Sequence, residues 1–218
     1  SAGDFQAQIL DKYFKNNPKK ISSNTIRLLY LNGEVGHSAQ IFRRMGFIDG
    51  MTRMGYKIEI VAEGTANWGL DTARQLTDNW IAKGEVFDAI IAQNDDMALG
   101  AVESLIANKY VDDVSSPLRD VDGDGTILSV PVLGIDATDV ARASIKEHKL
   151  YATVLQDASG QAQTALEVVL QCARHGNAKG FATKAGIKAL TEVSKESPAN
   201  RASVIDQCFM VPFVPVTE

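Results

Sequence analysis

Apolar runs of four to six residues, each closed by a polar cluster and followed by a stretch of helical period, recur five times along this 218-residue chain. Ile26 to Leu31 leads into Asn32-Gly33-Glu34-Val35-Gly36-His37-Ser38 and a helix near 39–54. Tyr56 to Val61 leads into Glu63-Gly64-Thr65-Ala66-Asn67-Trp68 and a helix near 69–83. Ala89 to Ala92 ends in Gln93-Asn94-Asp95-Asp96, and a helix begins at once. Val130 to Ile135 ends in Asp136-Ala137-Thr138 before a helix near 139–147. Leu150 to Leu155 ends in Gln156-Asp157-Ala158-Ser159 before a helix near 160–174. The run Ala89 to Ala92 is short and does not alternate, so it reads as a strand buried on both faces.

Strands alternating with helices predict an α/β fold: a doubly wound parallel sheet of five strands, order 2-1-3-4-5, with right-handed crossovers. A leading helix near 3–15 completes the lobe. In such a sheet ligands bind at the carboxyl ends of the strands. Asp95 or Asp96 reads as the cap of the third helix, which leaves Asn94 to face a ligand with a donor and an acceptor.

The charge balance narrows the function. Net charge is −5, with 22 basic and 27 acidic residues scattered together. That argues against a nucleic-acid surface. No apolar run approaches the ~20 residues of a membrane span. Cys172 lies among Leu166, Val169 and Leu170, so a buried free thiol is expected there. The segment after the first strand has neither dinucleotide nor P-loop spacing, and Glu34 would repel a phosphate. Ser38 lacks a nucleophile-elbow context, and His37, His148 and His175 show no metal-ligand spacing. A flavodoxin-like enzyme domain would need one of these devices. What the strand ends do hold suits polyols. Arg43, Asn94, Asp136 and Gln156 can each engage two neighbouring hydroxyls, and Trp68 offers an apolar face to sugar C–H groups.

A second feature is Asp120-Val121-Asp122-Gly123-Asp124-Gly125-Thr126-Ile127. It follows the first two-thirds of an EF-hand loop, with Asp120, Asp122, Asp124 and Thr126 at ligand places, Gly125 at the sixth place for the turn and apolar Ile127 at the eighth. The twelfth place is Pro131, so calcium would need a carboxylate from elsewhere. An aspartate-glycine turn without metal is the simpler alternative.

Ile90-Ile91-Ala92-Gln93-Asn94-Asp95-Asp96-Met97-Ala98-Leu99-Gly100-Ala101, then Val132-Leu133-Gly134-Ile135-Asp136-Ala137, then Ala152-Thr153-Val154-Leu155-Gln156-Asp157 together resemble the periplasmic sugar-binding proteins of the ribose and galactose/glucose group. Thr65-Ala66-Asn67-Trp68, Arg43-Arg44-Met45-Gly46-Phe47 and Val211-Pro212-Phe213-Val214-Pro215-Val216 match as well. The resemblance is weakest from about 177 to 205. It implies an extracytoplasmic receptor for a hexose or pentose, a membrane permease of a sugar ABC transporter as partner, and no enzymatic activity. His37, Arg43, Trp68, Asn94, Asp136 and Gln156 match its sugar contacts, with Gln156 on the hinge side. Ala39 stands where the galactose/glucose receptor has an aspartate, which leaves the sugar open. The resemblance also implies a structural calcium loop, with Asp88 as the completing carboxylate.

Such receptors have two lobes, and in the family roughly a hundred residues, comparable to a domain, precede the place of Ser1. The expected organisation is therefore a second lobe at 1–155, a hinge crossing and first-lobe helices at 156–205, and a returning strand at 206–218. The helix near 160–174 would then expose an apolar stripe able to self-associate. The ligand-sensing core of a lactose-repressor-type regulator shares this fold and is the alternative binding protein.

Overall fold

A computed structural model describes residues 1–21, 23–111, 123–176 and 213–217, with backbone alone at 188–189 and 209–210. The chain divides into two compact units, Ser1–Leu155 with Val214–Glu218, and Gln156–Phe213.

The first unit is the α/β lobe. Its elements run α1 (Ala2–Asn16), β1 (Thr25–Asn32), α2 (Ser38–Arg53), β2 (Lys57–Thr65), α3 (Leu70–Ala82), β3 (Ala89–Ala92), α4 (Asp95–Ala107), β4 (Val132–Leu133), α5 (Asp139–Lys146) and β5 (Thr153–Leu155). The ladder has the order β2-β1-β3-β4, all parallel. The fifth strand joins it through two isolated parallel bridges, Leu133↔Ala152 and Asp136↔Leu155. A closing strand, Val214–Val216, pairs antiparallel with β5. It falls within the 206–218 segment read as the returning strand.

The apolar runs are buried on both faces, as a covered parallel sheet requires. Ile26, Leu28, Leu29, Tyr30 and Leu31 of β1 are all fully buried. Leu29 and Leu31 join Trp80, Met97 and Val102 in one core. Tyr30 turns to the other face and packs on Phe47 of α2 at 6.0 Å between ring centroids. At the edge, β2 alternates instead, and it extends to Thr65 because Asn32 still pairs there. Two helix pairs pack closely, α1 on α2 and α3 on α4. Glycines permit the approach: a Cβ on Gly3 would collide with the Arg43 carbonyl, and one on Gly100 with the Leu70 carbonyl.

The second unit contains α6 (Ala158–His175), capped by Asp157 through Gly160 N at 2.8 Å and ended by Gly176 at φ 72°. It also holds a two-stranded antiparallel pair, Lys188–Ala189 with Phe209–Met210. Leu166, Val169 and Leu170 are exposed, and Thr164 is the buried residue of α6. Cys172 is a free thiol of intermediate exposure, not a buried one, because its neighbours on the stripe are themselves uncovered.

The loop read as a calcium site lies at the amino edge of the sheet. Asp120 and Asp122 fall outside the described residues. Asp124 is buried, and its Oδ1 accepts from Thr126 N at 3.0 Å. Its Oδ2 accepts from the Tyr13 hydroxyl at 2.6 Å and lies 3.1 Å from the Lys20 ammonium. Asp88, expected to complete the shell, is committed elsewhere. Arg27 donates to it from its backbone N, Nε and Nη2 at 2.8, 3.1 and 2.7 Å. Of the two carboxylates of this set that are described, one already faces a cation and the other is locked in a bidentate pair, so neither is uncommitted toward a calcium ion. Thermal melts in millimolar calcium and in chelator should coincide, since a cation that binds the folded state would raise the midpoint by mass action. A calcium-dependent rise that Asp122→Ala abolishes would contradict this.

Candidate functional site

Five of the six residues expected to face a ligand meet at the carboxyl ends of the strands. Each is placed by local geometry. The loop after β1 ends at His37, which caps α2: its Nδ1 accepts from Ala39 N at 3.1 Å. A neutral ring in that role carries its proton on Nε2 and is free to donate there. His37 is exposed and meets the Trp68 ring edge-on at 5.4 Å.

Trp68 sits at φ 67°, directly after Asn67 at φ 48°. These are left-handed conformations uncommon for such residues. They turn the indole back over the end of β1, where Gly33 makes room. A Cβ on Gly33 would run into the ring.

Arg43, on the second turn of α2, is only 8% exposed. Its Nη1 donates to the Gln93 carbonyl, and its Nη2 lies 3.4 Å from Asp136 Oδ1. Its guanidinium carbon stands over the Trp68 ring, 5.6 Å from the centroid. This places a buried cation against a carboxylate and an aromatic face together. Burial pushes the Arg43 pKa down, and Asp136 pushes it back up.

Asn94 caps α4, in place of the Asp95 or Asp96 expected from the sequence. Its Oδ1 accepts from Met97 N at 3.0 Å, while Nδ2 donates to the Trp68 carbonyl at 3.0 Å. The extended φ of −150° at Asn94 is what a capping residue needs. One N–H and one lone pair are left, so capping and a ligand contact are compatible.

Asp136 follows β4 and is about one-third exposed, at 34% of its side chain. Burial pushes its pKa up to about 6 from 3.8, opposed by Arg43 and reinforced by Asp95. The site thus offers a carboxylate, a guanidinium, an amide, an imidazole N–H and an indole face within one connected cluster. That set can recognise adjacent hydroxyls and the apolar face of a ring at once. Gln156, the sixth expected residue, is the first residue of the second unit and is half-buried.

The sequence reading passed over Gln93. It is fully buried, accepts from Gly33 N at 2.9 Å and donates to the Gln40 carbonyl at 2.8 Å. With its own carbonyl held by Arg43, it ties the loop after β1, α2 and β3 together. Its position at a strand end was visible, but its inward direction was not. Asn32, Glu63 and Arg44 form a second support: Asn32 Nδ2 donates to Glu63 at 2.7 Å, and Arg44 grips the same carboxylate at 2.8 and 3.0 Å.

Residues 1–178 match the model of the periplasmic binding protein domain family. A Rhizobium meliloti protein named for rhizopine binding is 35% identical over 149 residues, which is 68% of this chain and 43% of that protein. The xylitol-binding protein of Mycolicibacterium smegmatis is 31% identical, over 65% of this chain and 36% of its own length. Among solved structures, an ABC transporter solute-binding protein from Bacillus halodurans with bound myo-inositol superposes with a TM-score of 0.65 at 29% identity. It covers 95% of this chain and 55% of its own. A Caulobacter myo-inositol-binding protein bound to myo-inositol is 30% identical with a TM-score of 0.61, over 83% of this chain and 52% of its own. The chain spans about half the length of these proteins or less. From the family match and the shared fold, this chain belongs to the periplasmic binding protein family.

Proposed function

We propose that this chain supplies one rim of the ligand site of a sugar or cyclitol receptor serving an ABC import system. The observation that carries the reading is the Arg43–Asp136–Trp68 cluster at the carboxyl edge of the sheet. Asp136 accepts from two neighbouring hydroxyls, Arg43 and the His37 Nε2–H donate, and Asn94 contributes its remaining donor and acceptor. Trp68 covers an apolar ring face. Gln156 is assigned the hinge-side contact. The protein binds and releases its ligand without chemistry, and the membrane permease is its partner. Periplasmic placement accords with the family, and among the described residues no helix is long and apolar enough to cross a membrane.

Relatives named for rhizopine, xylitol, galactose and ribose support a polyol as the ligand class, as do the structures with myo-inositol. What these molecules share is a run of vicinal hydroxyls, and a carboxylate beside a guanidinium reads such a run as donor next to acceptor.

Calorimetric titration of the full-length protein against myo-inositol, xylitol, ribose, galactose and glucose tests the proposal. Binding of at least one in the micromolar range or tighter is expected. Asp136→Ala should cost about 2–4 kcal/mol of that affinity, the scale for truncating a buried charged hydrogen bond. Stability without ligand should fall by less than affinity, because burial already works against that charge and Arg43 keeps the Gln93 carbonyl and the Trp68 face. Trp68→Ala should weaken all ligands but change the discrimination between epimers less, because stacking reads a face and not a particular hydroxyl. No binding at millimolar polyol, or wild-type affinity in Asp136→Ala, would count against the reading.

The raised pKa of Asp136 adds a pH dependence of definite sign. Between its unfolded value of 3.8 and its folded value of about 6, the folded chain keeps a proton that the unfolded chain has released. Through this group, stability falls as pH rises across that window and is flat above it. Affinity runs the other way, because hydroxyl donors favour the ionised carboxylate: it should rise through about pH 6 and level off. Asp136→Asn should remove both slopes relative to wild type, read by urea denaturation and by titration at about pH 5 and 7.5. Parallel pH profiles in the two proteins would show that another group is responsible.

A further inference from the structure

One carboxylate at the strand ends cannot meet a ligand. Asp95 opens α4 and is fully buried, as is Thr153 on β5. The Thr153 hydroxyl donates to Asp95 Oδ1 at 2.5 Å, and Thr138 N donates to Asp95 Oδ2 at 2.7 Å. The Thr153 oxygen in turn accepts from Ala137 N at 3.3 Å. The two backbone N–H groups that follow Asp136 are therefore both collected by this pair. Gly134 opens the way across β4, since a Cβ there would collide with Asp95 Oδ1.

The turn needs such restraint. Asp136 has φ 122° and Ala137 φ 58°, two successive non-glycine residues in the positive region. Backbone of this kind persists only where its surroundings over-determine it. Asp136 N donates to the Val154 carbonyl at 2.8 Å, which anchors the start of the turn. Arg142 Nε donates to the Ala137 carbonyl at 2.9 Å from the outside. Asp95 and Thr153 close it from within. A well-packed apolar pair would cost less to bury than this carboxylate, so its role is geometric more than stabilising.

We propose that Asp95 and Thr153 are positioning residues that hold the Asp136 carboxylate at the ligand edge of the lobe by fixing the backbone of the turn behind it. The proposal rests on the polyol reading of the site. A carboxylate that must meet two hydroxyls at once tolerates a displacement of only a few tenths of an ångström, and the strained turn supplies no such accuracy by itself.

Thr153→Val, nearly isosteric but without the hydroxyl, tests it in the full-length protein with myo-inositol, ribose and galactose as probes. Affinity for the polyol that wild type binds should fall about tenfold or more, the scale of one buried donor or acceptor left unsatisfied. Thr153→Ser should restore it. Thr77→Val is the control: it removes another buried threonine hydroxyl, bonded to the Ala73 carbonyl at 2.9 Å on α3, and should lower stability but leave affinity alone. The ligand-free readout is the carbon-13 titration of the Asp136 carboxyl. Its midpoint should move in Thr153→Val and stay put in Thr77→Val. Should Thr153→Val not fold, Asp95→Asn takes its place, keeping the shape and losing one acceptor. Wild-type affinity together with a wild-type Asp136 midpoint in Thr153→Val would overturn the proposal. If wild type binds none of the probes, the polyol reading has failed and the titration alone decides the positioning.

Discussion

A guanidinium taken almost wholly out of water organises the carboxyl edge of this lobe. Burying a charge costs several kcal/mol unless it is paired and hydrogen-bonded. Arg43 meets that demand with the Gln93 carbonyl, the Asp136 carboxylate and the face of Trp68. These groups come from three different strand ends, so the contacts that make the burial tolerable also assemble the site. The position of Arg43 is itself set from behind, where Gly3 of α1 lies against its backbone carbonyl. The pairing with Asp136 is loose at 3.4 Å. Asp136 therefore keeps hydrogen-bonding capacity that a run of hydroxyls can use.

The two edges of the sheet treat charge differently. At the amino edge, Asp88 is gripped by Arg27 in a bidentate pair, and Asp124 is held by Tyr13 and Lys20. Those carboxylates are spent on the fold. At the carboxyl edge, Asp136 has one long contact and a pKa pushed up to about 6. A carboxylate poorly compensated by its own protein is one that gains from an external donor.

Much of this was legible in the sequence, for identifiable reasons. The five βα units follow from short apolar runs closed by polar clusters, clearest at Ala89–Ala92, where a strand covered on both faces has no polar positions to show. The helix boundaries fall within a residue or two of those read from periodicity. Arg43, Trp68, Asn94 and Asp136 were legible as candidates because the sheet brings all strand ends to one edge, and His37 only through the family resemblance. Direction was not legible. Asn94, Asp95 and Asp96 are consecutive, and only the three-dimensional path shows that Asn94 caps α4 while Asp95 reaches across Gly134 to β5. Asp88 was read as a calcium ligand through the family resemblance, and its bidentate pairing with Arg27 of the neighbouring strand could not be seen from the string. Gln93 was overlooked because a buried amide and a ligand-facing one look alike in a string of letters. The strained pairs Asn67-Trp68 and Asp136-Ala137 leave no mark either, since none of the four is a glycine.

Nuclear magnetic resonance mapping of ligand contact on the full-length protein tests the central claim most directly. Backbone amides, the Trp68 indole N–H, the Arg43 Nε–H and the Asn94 side-chain amide would be followed during addition of myo-inositol, ribose or galactose. The account predicts that the shifts within this lobe concentrate on these groups, on His37 and on Asp136 to Thr138. Shifts confined to the amino edge, around Lys20, Arg27 and Asp88, or an unmoved carboxyl edge in a protein that does bind the polyol, would contradict it.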